Sequence, residues 1–242
     1  MVATFAVRKK NDVFDVKTQA MKALLGLILF FSVTVFGQSL ILEPNQTVKL
    51  VKDKLIVDTL EFKDGSSIQI DEKLKDPFIR CNYLIVGRHC AIYSVPTNGV
   101  SGVGGGSQGG KGSDSPNLVF HFLNATISDT LVISLQGGNG GTGGLGGLIV
   151  EEYPTTDWHR SPLKTIEPRA RSGDGGSGGK GGNLIISFPK DLEPTVRRVV
   201  VTNNGGLPGL AGNAFLRYRE HRELDGQIGE DGTVTVNHIK RK

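Results

Sequence analysis

The chain has 242 residues, of which 34 are glycine, 10 are proline and 38% are hydrophobic; glycine is the outlier, at roughly twice its usual share of about 7%. The ordinary proline and apolar content exclude a collagen chain and a disordered low-complexity tract. The net charge of +4 is small and spread along the chain, which points away from a nucleic-acid partner.

Residues 1–20 have little apolar periodicity. Met21 and Lys22 give a basic start to the apolar run Ala23 to Gly37, with Val35 and Gly37 at the small-residue positions of a cleavage site. At about fifteen residues the run is short of the roughly twenty that a membrane helix needs. It reads as a signal peptide with Met21 as the start, the first twenty residues being an over-extended gene model; with Met1 as the start it would act as an uncleaved anchor. The expectation is a secreted or cell-surface protein without a stable membrane span after cleavage. The divisions are 1–37 (extension and signal peptide), 38–98 (short strands) and 99–242 (glycine-rich domain).

From Leu40 to Ser94 the pattern is all-β: LILE, TVKLV, KLIVDTLEF, SSIQID, NYLIVG and CAIYS, with a turn signal at Asp64-Gly65. Val57, Thr59 and Glu61 alternate with Asp58, Leu60 and Phe62, as in a half-buried strand. The spacing fits a sandwich or the stacked coils of a β-solenoid. In an oxidising compartment Cys81 and Cys90 are expected to pair as a disulfide. A zinc site would need more ligands than the nearby His89 supplies.

Beyond Ser94 a module repeats: glycine run, strand, connection, strand, glycine run. The runs are Gly102 to Gly112, Gly137 to Gly147 (GGNGGTGGLGG), Gly173 to Gly182, Gly205 to Gly212 and Gly226 to Gly232. The strands between them are Leu118 to Leu123, Thr130 to Leu135, Leu184 to Phe188 and Val196 to Thr202, with Thr233 to Ile239 last. Two excursions, Leu148 to Ser172 and Asn213 to Asp225, leave from the ends of glycine runs, which places them as loops at one end of the molecule.

Each glycine costs about 0.5–1 kcal/mol relative to alanine in a helix or strand. The conformation suited to such runs is the extended threefold helix, rising about 3.1 Å per residue without internal hydrogen bonds. Every third side chain then projects along one edge, as Asn139, Thr142 and Leu145 do, and the bare faces let neighbouring runs bond to one another. The competing reading is a set of flexible linkers, against which stands the three-residue phase kept in GGxGGxGG, GDGGSGGKGG and GGLPGLAG.

These runs, with LVFHFLN, LVISLQ and LIISF between them, resemble the glycine-rich, collagen-like repeat proteins secreted by bacteria. They also resemble polyglycine-II bundles, as in glycine-rich phage tail adhesin tips and glycine-rich antifreeze proteins. The resemblance implies a mixed sandwich of β-strands and polyglycine-II helices, with binding by the loops that join the glycine helices. Here those are the two excursions.

No nucleophile elbow, phosphate loop or zinc helix is found in the sequence. Asp174, Glu230 and Asp231 are too isolated for a calcium site, and no cofactor is expected. Asp157 with His159, and Glu220 with His221, are loop charges that could meet as a metal or acid-base site. Tyr153, Trp158, His159, Arg217, Tyr218 and Arg219 are candidate partner-binding residues, because exposed aromatics and arginines stack on sugars or anchor a protein. Asn45 and Asn124 each open a glycosylation acceptor pattern, which matters only in a eukaryotic source.

The chain is accordingly expected to be non-enzymatic, a structural or adhesive surface protein binding a glycan or cell-surface macromolecule through its end loops, with self-association also open. Two alternatives stand beside this. One is a carbohydrate-active hydrolase or lyase on a β-solenoid, with Asp53, Asp58 and Glu61 as weak carboxylate candidates. The other is ice binding, which Thr142 and Ser177 favour and Leu145, Lys111 and Lys180 oppose.

Overall fold

The computed structural model describes residues 38–103, 106–145, 149–150, 166–167, 172–212 and 224–240. Its core is two wholly parallel β-sheets. The strands are β1 (Ser39–Leu42), β2 (Thr47–Leu50), β3 (Lys54–Phe62), β4 (Ser67–Ile70), β5 (Phe78–Val86), β6 (Cys90–Ser94), β7 (Leu118–Ile127) and β8 (Leu131–Ser134). After a short ribbon of β9 (Ile149–Val150) and β10 (Ile166–Glu167) come β11 (Leu184–Pro189), β12 (Val199–Thr202) and β13 (Val234–Ile239).

One sheet runs β1-β3-β5-β7-β11-β13 and the other β12-β8-β6-β4-β2. The chain therefore alternates between sheets, and each circuit lays a new strand beside its predecessor in both. Register follows from this winding: Ile68 pairs with Ile92 and Ile92 with Ile133, and all three are buried. Burying such a side chain is worth about 1.5–3 kcal/mol, and a one-residue slip would turn the whole row outward. On the facing sheet Phe120, Phe122 and Phe188 are buried, with the Phe122 and Phe188 rings stacked at 5.8 Å.

The long strands bend in the middle. In β5, Ile79 and Cys81 point inward, then Leu84 and Val86 do. Asn82 and Tyr83 between them both stay outside the core. The alternation expected through Val57 to Phe62 breaks at the same place: Leu60 and Phe62 are buried but Asp58 is not. Asp58 serves the bend, accepting a hydrogen bond from Asn82 Nδ2 at 2.7 Å, while Asn124 Nδ2 donates to the Asn82 carbonyl at 3.3 Å.

The corner leading to the other sheet is also stacked. Asn45 (φ 58), Gly65 (φ 73) and His89 (φ 53) are left-handed, the conformation that asparagine and glycine tolerate best. The Asn45 N–H donates to the Asp64 carbonyl and the Gly65 N–H to that of Arg88. Asp64-Gly65 is thus a turn between sheets.

Cys81 and Cys90 are free and buried, which corrects the expected disulfide. Cys81 lies inside one sheet, paired with Val57 and Phe122. Cys90 opens a strand of the other sheet, paired with Leu131, and its Sγ lies 3.3 Å from the Lys63 carbonyl. Burial pushes the Cys81 thiol up to about 12 and also raises that of Cys90.

Candidate functional site

Three times the chain leaves the second sheet through glycine-rich sequence and returns to the first. The outgoing runs are run 1 (97–103), run 3 (136–145) and run 5 (203–212); the returning ones are run 2 (107–116), run 4 (172–182) and run 6 (224–232). The first expected glycine run is thus two segments, folded back near Gly106 at φ 77.

The runs bond side by side. Gly99 N–H donates to Asn139 O, Gly137 to Asn204 O and Gly140 to Leu207 O, joining the outgoing row. Gly112 N–H donates to Ser177 O and Gly178 to Gln227 O, joining the returning row. Gly110 to Val100 O, Gly141 to Gly110 O, Gly176 to Gly141 O, Gly209 to Gly176 O and Gly226 to Gly209 O stitch the rows together. All of these lie between 2.7 and 2.9 Å.

This network explains where glycine is needed. Runs 3 and 4 each bond to four neighbouring runs and carry glycine at two places in three, the third place facing outward. Adding a Cβ to Gly140 would drive it into the Gly176 carbonyl, and adding one to Gly141 into that of Val100. Among the described residues, runs 1 and 6 bond to neighbouring runs on one side only, and they carry glycine once in three. The other positions hold Val100 and Val103, or Asp225, Ile228 and Asp231, all exposed. None of the tightly packed glycines has a left-handed φ, so close approach sets their identity.

The two rows present different surfaces. Asn98, Ser101, Asn139, Thr142, Leu145, Asn204, Leu207 and Leu210 of the outgoing row are exposed and uncharged. The returning row carries Lys111, Asp114, Asp174, Lys180 and Glu230. There Lys111 pairs with Asp114 at 2.9 Å and Lys180 with Glu230 at 2.6 Å. The Glu230 hydrogen bond holds the Lys180 ammonium above its usual range. The Lys180 N–H donated to Asp114 is the main cause that holds the Asp114 carboxyl below its own.

The far ends of the runs lie together. Gly144 N–H donates to Ser107 O, Gly173 to Gly144 O and Gly212 to Gly173 O. Both excursions therefore leave and return at one end of the bundle, the first through the β9–β10 ribbon. The candidates Tyr153, Trp158, His159, Arg217, Tyr218 and Arg219 lie outside the described residues, as do Asp157, Glu220 and His221. Among the described residues no group of three His, Cys, Asp or Glu side chains is arranged to hold a metal. Of the carboxylate candidates Asp58 is engaged at the strand bend, while Asp53 precedes β3 and Glu61 lies near its end.

What sequence reasoning misses is border run 1 (97–103) as a separate run; its GxxG spacing at Gly99 and Gly102, the same spacing that marks run 6 at Gly226 to Gly232, could have found it.

No family model, no curated protein and no solved structure matches this chain.

Proposed function

We propose that the protein is an exported, non-enzymatic surface protein in which a β-solenoid of parallel coils carries a polyglycine-II bundle, and that the bundle displays segments 146–171 and 213–223 to bind a glycan or cell-surface macromolecule. The observation that carries this reading is the convergence of both excursions on one end of a cross-bonded bundle. Six runs joined laterally form a stiffer mount than a single loop base, and binding residues concentrate on loops held by a rigid scaffold. Aromatic and arginine side chains at 153, 158, 217, 218 and 219 are the types that anchor sugars and protein surfaces.

The test compares the intact chain with one in which 148–171 and 213–223 are replaced by short glycine-serine links, on glycan arrays and whole cells. Slow amide exchange at Gly137 to Gly144 in both proteins would report that the bundle is kept. Binding lost on trimming supports the proposal. Equal binding by both proteins, or none by either, overturns it.

A second reading, ice binding, is favoured by the sorting of side chains between rows. Lys111 and Lys180 belong to the returning row, as does Ser177, which leaves Thr142 on a face without charge, with the opposing Leu145 still beside it. Thermal hysteresis that disappears in Thr142→Lys would support it; absence of hysteresis in the intact chain removes it.

A further inference from the structure

In run 3 the N–H groups of Gly137, Gly140 and Gly143 donate to the carbonyls of Asn204, Leu207 and Leu210 in run 5. Their counterparts in run 5, one step further across the row, are Gly205, Pro208 and Ala211. Those three positions face the place where another outgoing run would lie. The Gly205 N–H is taken by Asp231 Oδ1 at 2.8 Å, and the Ala211 N–H by Asp225 Oδ1, also at 2.8 Å. Pro208 has no N–H to offer.

Run 6 matches this pattern residue by residue. Asp231 serves Gly205 and Asp225 serves Ala211, while the position midway between them, in register with Pro208, is Ile228. A carboxylate stands where there is a donor, and an aliphatic side chain where there is none. The edge is thereby deprived of the row of free donors with which a β-edge or a glycine run recruits another chain.

We infer that Pro208, Asp225 and Asp231 form a built stop that closes this edge of the bundle against a glycine-rich run from a second copy of the chain. The inference rests on the bonding among described residues and stands whether or not the loops bind a glycan. Without the stop, the edge donors would meet the exposed carbonyls of another copy's border run, a head-to-tail contact that does not close and grows into fibres.

Three variants test it by light scattering over a concentration series. Pro208→Gly/Asp225→Ala/Asp231→Ala frees all three donors and is expected to form concentration-dependent assemblies that the natural chain does not form. Asp225→Asn/Asp231→Asn keeps the acceptor oxygens without the charge and is expected to scatter like the natural chain. Pro208→Gly alone reopens the central donor and should give intermediate growth.

In the natural chain, the Gly205 and Ala211 amides should exchange roughly tenfold or more slowly than unbonded ones, as charge-assisted hydrogen bonds of this kind imply. Unprotected Gly205 and Ala211 amides overturn the inference whatever the variants do. So does a folded triple variant, protected at Gly137 to Gly144, that scatters like the natural chain. Assembly of the Asn variant would assign the stop to charge repulsion and overturn the capping mechanism.

Discussion

Asn139 Oδ1 accepts the backbone N–H of Leu207 at 2.9 Å, and Asn98 Oδ1 accepts that of Asn139 at the same distance. The third residue of a triplet thus bonds to the next run through a side chain, where the glycines use carbonyls. Asp114 to Lys180 and Asp174 to Leu224 repeat the arrangement in the returning row. Asn139→Ala is expected to cost about 1 kcal/mol in urea denaturation, and Asn139→Asp, which keeps the oxygen, appreciably less. Equal losses in the two variants would show that the acceptor is not what stabilises the row.

Gly141 and Val100 hold equivalent places in neighbouring runs, one enclosed and one at the border. Gly141→Ala would press a methyl into the Val100 carbonyl and should cost about 1–3 kcal/mol, as overpacking does. Val100 is 79% exposed, and Val100→Ala should stay within about 0.5 kcal/mol. Thermal melts of the two variants side by side decide whether contact, not backbone freedom, sets the glycine pattern.

Cys81 gives the alkaline limb of stability a definite shape. Its thiol is raised from 9.0 to about 12 in the folded chain, so the folded state holds its proton where the unfolded state releases it. The stabilisation is complete below pH 9 and declines as pH rises toward 12. Cys81→Ala should flatten that decline while costing stability at neutral pH. In the native protein at pH 8 a thiol reagent should leave Cys81 unmodified until the chain is unfolded.

Asp114 acts at the acid limb with the opposite sign. Its folded carboxyl titrates below 3.8, first because of the Lys180 N–H and then because of Lys111. The stability it contributes is present above that value and is lost as pH falls through the lower, folded one. The side chain is half exposed, so the effect is well under about 1 kcal/mol. Asp114→Asn should make the loss of stability between pH 4 and pH 2 shallower, measured by denaturation at each pH.

Much of the strand pattern was legible in the residues because burial writes a period of two: TVKL, KLIVDTLEF and CAIYS appear within a residue or two of their observed limits. What alternation cannot express is which strand pairs with which. Ile68 meets Ile92 because whole circuits stack, a relation between residues in different turns of the chain. The bend at Asn82 was equally hidden, since two successive outward residues look like an error in the alternation. The expected disulfide failed for a related reason: nearness in sequence placed Cys81 and Cys90 together, whereas the chain crosses between sheets within that interval. The long glycine runs betrayed themselves by phase. Border run 1 did not, because a residue without a neighbouring run is free to be valine, as Val100 and Val103 are; run 6 showed only the sparser spacing of Gly226, Gly229 and Gly232.

The stitching of the bundle also sets a unit of length. Each glycine run repeats its bonds every three residues, so one or two inserted residues would turn side chains into a neighbour's carbonyls, while three would restore every contact. With the rise of an extended threefold helix, roughly 3.1 Å per residue, adding one triplet to run 3 and one to run 4 would be expected to move their far ends outward by about 9 Å. The distance from sheets to tip is a quantised dimension, adjustable by whole triplets in matched outgoing and returning runs.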